Sequence, residues 1–177
     1  MIPTLITTNT ESGDASSSFT SSIDSTYDEY MFVCTDIGPA TNSVHWTFQG
    51  STDGGSSYGV TATTTAFRSY HTEDDATTAL SYLNTYDLGQ STSYQNLAFE
   101  IGNMADASSA TILHLFNPSN TTYVKNFYAR TSSMQGSSAE IDQFVAGYFN
   151  TTSAIDAISF KMSSGNFDGV IQMFGIA

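Results

Sequence analysis

The chain has 177 residues, 40% of them apolar and only 12% charged, and 51 serines and threonines supply most of its polar surface. That length buries a substantial core, and a hydroxyl-rich composition favours strands and turns over long helices. Four basic residues against 17 acidic ones give a formal charge of -13, which leaves no basic patch to neutralise a phosphate backbone and sets the chain against anionic membrane surfaces.

The opening MIPTLITTNTESGD lacks a charged start and a long apolar centre, so it does not read as a secretory signal. No stretch reaches the roughly 18 consecutive apolar residues of a membrane span. Residues 1–18 divide into an apolar and threonine stretch and a polar run with three consecutive serines, which predicts an N-terminal arm. From Phe19 to the end, short apolar alternations separated by turn residues predict one all-β domain, 19–177, an antiparallel two-sheet β-sandwich of jelly-roll type.

Strands are expected near 19–24, 30–37, 44–49, 58–70, 94–101, 110–116, 121–131, 142–149, 158–162 and 170–176. Val44, Trp46 and Phe48 alternate with His45, Thr47 and Gln49, the pattern of a strand with one buried face. The Gly54-Gly55 pair predicts a hairpin joining that strand to the threonine-rich run, and Ser163 to Gly169 a second one near the end. Asn117-Pro-Ser-Asn120 predicts a turn between two apolar strands. One helical interval is expected at 73–83, with Thr72 as cap and acids in its first turn.

The sequence is poor in signals of chemistry. Cys34 is the sole cysteine; it lies in the apolar run Met31 to Cys34 with no cationic neighbour, which reads as a small core residue. His45, His71 and His114 are far apart and have no metal-ligand spacing. No G-x-S-x-G elbow is present, most acids lie in turn contexts, and Glu100 stands out between Phe99 and Ile101. Calcium is the best ion candidate, at Asp53 with the Gly54 and Gly55 carbonyls or at Glu73, Asp74 and Asp75, but no full calcium loop is present, and turn chemistry accounts for these residues. Asn120 and Asn150 open N-x-T triplets that also read as turn chemistry. No cofactor, metal site or catalytic group is therefore assigned. Tyrosines such as Tyr27, Tyr30, Tyr82, Tyr86 and Tyr94 either line a contact surface or cap sheet edges.

Several segments together resemble a family of tailed-bacteriophage virion proteins common in cyanophages and other aquatic phages. They are Thr26 to Phe32, Asp36 to Ala40, Ser51 to Tyr58, Phe67 to His71, Leu115 to Lys125 and Asn150 to Asn166, and the likeness spans about residues 19–176. The resemblance implies a non-enzymatic particle component on the virion, either a capsid decoration (cement) protein bound to the major capsid protein or part of a tail or fibre appendage with a receptor- or carbohydrate-binding role. The absence of a shaft-like sequence favours decoration. On this reading, residues 2–18 form an arm against a neighbouring subunit, with Ile2, Pro3, Leu5, Ile6, Tyr27 and Tyr30 as partner contacts and a homo-oligomer, a trimer, as the assembly.

Overall fold

A computed structural model describes residues 2–177. Twelve strands form: β1 (Thr4–Asp14), β2 (Ser17–Phe19), β3 (Glu29–Pro39), β4 (Val44–Ser51), β5 (Ala62–Thr72), β6 (Thr78–Tyr82), β7 (Gln95–Ile101), β8 (Ser109–Phe116), β9 (Lys125–Gln135), β10 (Ala139–Phe149), β11 (Ala157–Met162) and β12 (Phe167–Ile176). The only helical element among the described residues is a 3-10 turn at Asn84–Tyr86. Every strand pairing is antiparallel, so the all-β antiparallel expectation holds.

The strands join in one network ordered β1-β12-β3-β8-β9-β7-β4-β11-β2, from which β10, β5 and β6 continue off β9. The β9–β7 step is a single residue pair, Ile101 with Gln135. The two ends of the path meet where the Asn9 side chain donates to Ser17 Oγ at 2.9 Å and to the Ser18 carbonyl at 3.4 Å. The result is a nearly closed, barrel-like sheet, which leaves few free edges.

Alternation sends one parity of each strand inward. In β9 these are Lys125, Phe127, Ala129, Thr131 and Ser133, and in β12 they include Phe167, Ile171 and Met173. Inside, Phe160 stacks on Trp46 with centroids 5.6 Å apart and meets Phe32 at 5.5 Å, while Phe48 meets Phe127 edge-on at 5.0 Å. Rings from β4 and β11 thus interlock with rings from β3, β9 and β12, burying large apolar area in favourable offset and edge geometries. β3 keeps Ile37 in this core despite a parity break: Asp36 takes φ +55°, and Gly169 lies opposite the bulge, where a Cβ would come 2.5 Å from Ile37 Cδ1.

Four sequence expectations are corrected. Residues 4–14 are not a free arm; they pair along β12, because backbone pairing accepts the polar side chains that argued for an arm. The interval 73–83 is not helical: Asp75 adopts φ +58° in a turn and Thr78–Tyr82 form β6 against β5. β4 does not form a hairpin with β5 but pairs β7 and β11, and β11 does not pair β12 but β4 and β2. The β8–β9 pair across Asn117–Asn120 does form; Asn120 Oδ1 accepts from the Thr122 and Tyr123 amides at 2.7 and 2.9 Å.

Candidate interaction face

The outward parity of the strands from β12 to β6 is unusual for a chain of this charge. Along one row across the sheet, Gln172, Val33, Ile112, Arg130, Phe144, Phe67 and Tyr82 are successive register partners. The neighbouring row runs Leu5, Phe174, Met31, His114, Tyr128 and Ala146. Ile112, Tyr128 and Phe67 are each 42–47% exposed, while Met31, Val33, Phe144 and Phe174 are half-buried.

Aromatic stacking organises this surface. His114 lies over Tyr128 at 4.7 Å, Phe116 sits 5.6 Å from Tyr128, and Phe67 stacks on Phe144 at 4.8 Å with an interplanar angle of 5°. Cross-strand aromatic pairs of this kind hold side chains in one orientation without help from a covering layer.

The charges on the face are partnered. Arg130 donates two hydrogen bonds to the Asp142 carboxylate at 2.9 and 2.8 Å, which raises its pKa further, and its guanidinium lies 5.0 Å from the Phe144 ring. Glu29 pairs with His114, and Glu140 accepts from Ser132 Oγ at 2.7 Å. Most of the remaining acids are in loops and turns, among them Asp24, Asp28, Asp53, Glu73, Asp74, Asp75, Asp87, Asp106 and Asp156. The chain therefore concentrates its charge: most of the acid lies at the loops, and the aromatic sheet surface between them holds few charges, each hydrogen-bonded within the face.

The residues singled out from the sequence fall differently. Leu5 lies on this face beside Phe174, and Ile2, nine-tenths exposed, extends past it with Pro3. Ile6 is partly buried against the core. Tyr27 packs over Gly175, where a Cβ would come 2.3 Å from its ring, and meets Tyr30 edge-on at 5.9 Å. Tyr30 offers no surface: it is fully buried, its hydroxyl takes the Asp24 amide at 2.9 Å, and burial raises its pKa. Of the other tyrosines, Tyr82 is exposed on β6, Tyr86 packs on Phe99, and Tyr94 lies 4.1 Å beneath the Lys161 ammonium.

The candidate chemical groups do not converge. Cys34 is fully buried and its thiol is pushed up to about 12 by desolvation. Asp53 accepts from Ser51 Oγ and from the Ser57 amide and hydroxyl, which hold its carboxyl at about 2, as turn chemistry does. Glu100 accepts from Gln135 Nε2 at 2.7 Å, and its own amide donates to His45 Nδ1 at 3.1 Å. Among the described residues, no group of three or more His, Cys, Asp or Glu side chains could hold a metal ion.

The sequence reading missed Ile112, Tyr128, Phe144, Phe67 and Met31 as a surface. A signal was present: Met31-Phe-Val-Cys34 and Ile112-Leu-His-Leu-Phe116 are apolar on both parities, the mark of strands that carry apolar groups on two faces. The sequence matches no protein-family model and no curated protein.

Proposed function

We propose that this chain is a non-enzymatic structural component of a tailed-phage particle, a capsid decoration protein that docks on the major capsid protein or another virion protein through the outer face of β12-β3-β8-β9-β10-β5. The observation that carries this reading is the charge segregation. A chain with a formal charge of -13 stays dispersed through its acidic loops, while a face rich in stacked aromatics and carrying few charges desolvates at lower cost against a partner. Many copies on one shell turn a modest contact into strong retention, and a trimer at local threefold positions fits such a shell.

In the same reading the network is a flattened two-layer sandwich of the jelly-roll kind. β7, β4, β11 and β2 lie across the longer run of strands, and the Trp46–Phe167 contact at 4.8 Å and the Phe48–Phe127 contact support that layering.

The test is co-sedimentation of the purified protein with particles stripped of it. Ile112→Glu places a charge at the centre of the face, and occupancy is expected to fall about tenfold or more, the loss typical of a central interface residue. Equal occupancy of the variant and the parent protein overturns the docking face. A tail or fibre role with glycan binding is the second reading, favoured by the exposed Tyr128 ring beside Phe116 in a groove that Tyr148 also lines. The accessible wall there is mostly apolar, with only Asn126, the threonines at 63–65 and tyrosine hydroxyls to bond a sugar, so a glycan array is expected to show no binding, and a specific signal lost in Tyr128→Ala selects this second reading.

A further inference from the structure

β6 is the exposed end of the β10-β5-β6 branch, and it lacks the devices that usually protect an edge. It pairs only with β5 among the described residues, and its sequence Thr-Ala-Leu-Ser-Tyr holds no charge, no proline and no bulge. The strand at the other end of the sheet, β1, has Glu11 and Asp14, two register shifts and the Asn9 contact to β2.

The hydrogen bonds fix which backbone groups of β6 are free. The Thr72 amide donates to the Thr77 carbonyl at 3.0 Å and the Leu83 amide to the Ala66 carbonyl at 2.9 Å, so Ala79 and Ser81 bond toward β5. The N–H and C=O groups of Thr78, Leu80 and Tyr82 therefore point away from the sheet. Leu80 is 76% exposed and Tyr82 62%, and Tyr82 ends the aromatic row that begins beyond Val33.

We propose that this edge accepts an extended segment of a partner polypeptide as an added antiparallel strand, and that the segment carries lysine or arginine at both ends. Charge selects this occupant. Glu73, Asp74 and Asp75 precede β6, and Asp87 follows it with its carboxylate accepting from the Tyr82 hydroxyl. A second copy of this chain paired antiparallel here would bring Glu73 to Asp75 beside the other copy's Asp87, and a parallel pairing would set the two acidic turns together. An apolar strand with basic flanks meets attraction at both ends, gains main-chain hydrogen bonds along the edge, and lays alternate side chains beside Leu80 and Tyr82. The inference rests on the docking reading above and names the chemistry of the partner.

The test uses the intact labelled chain and the peptide Lys-Lys-Thr-Val-Thr-Val-Thr-Lys-Lys, read by amide hydrogen exchange. The Leu80 and Tyr82 amides are expected to gain at least about tenfold protection, with Ala79 and Ser81 little changed. The same peptide with glutamates for lysines is expected to give none. Leu80→Pro removes an outward N–H while leaving the donors of the β5 ladder, and abolishes the effect. Neutralising Glu73→Gln, Asp74→Asn and Asp75→Asn together weakens binding and flattens its salt dependence even if the proline variant does not fold. No protection, or equal protection by the glutamate peptide, overturns the proposal. Particle occupancy separates the two readings: failure of the peptide with Ile112-dependent co-sedimentation intact sinks the edge site alone, and protection by the peptide without co-sedimentation sinks the docking face alone.

Discussion

Phe160 sits where four rings from three other strands converge: Trp46, Phe48, Phe32 and Phe19 all lie within 6.3 Å of its centroid. Phe160→Ala is expected to cost about 3–5 kcal/mol, measured as a lowered urea midpoint, because the cavity it leaves is walled by other large rings that relax little. His45 gives a pH dependence. Burial holds its imidazole below the ordinary value against the pull of Glu100, so the folded state binds this proton less readily than the unfolded chain. The stability gained from the neutral ring is complete above about pH 6.5 and is lost as pH falls through the lowered folded-state pKa. Denaturation midpoints between about pH 7.5 and 5.5 are expected to fall less in His45→Gln than in the parent chain. Lys125 is fully buried and has no carboxylate partner among the described residues; its ammonium donates to the Tyr123 and Thr151 carbonyls at 2.7 and 3.3 Å. The sequence places Lys125 inside the strand expected near 121–131, but only the chain crossing at Thr151 makes it an interior residue.

At the scale of elements, β5 and β10 approach closely because Gly147 lies opposite Thr64. A Cβ at Gly147 would come 2.5 Å from the Thr63 carbonyl oxygen. Gly147→Ala is therefore expected to cost about 1–3 kcal/mol, since the obstacle is backbone and cannot rotate aside. β1 behaves differently. Its side chains are mostly exposed, yet it covers β12 from Thr4 to Asp14. Deleting residues 1–14 is expected to lower the thermal midpoint and to bare the β12 edge, so that sedimentation velocity shows concentration-dependent association absent in the full chain. Alternation showed where most strands lie; it could not show that a polar stretch such as Thr7 to Thr10 would be recruited as one, because pairing energy resides in the backbone and the partner strand stands at the far end of the chain.

For the whole molecule, the contacts that close the sheet are between segments far apart in sequence: β1 with β12, β4 with β11, and β3 with both β8 and β12. Such a topology delays the reward for loop closure, so refolding is expected on the millisecond-to-second scale of non-local β-proteins, and a chain ending at residue 166 is expected not to fold, as followed by stopped-flow fluorescence of Trp46. What the amino-acid order determined alone is the local part: strands with one buried parity, the Asn117–Asn120 turn, the left-handed glycines at 54 and 55, and a thiol kept inside the core. Those follow from side-chain sterics and from the two-residue period of a strand, which each short segment carries within itself. The choice of neighbours, the strand in place of a helix at 78–82, the burial of Tyr30 and the aromatic outer face were decided only in three dimensions. Pairing and coverage depend on the sum of contacts over the whole network, and no segment contains the surface that will lie against it.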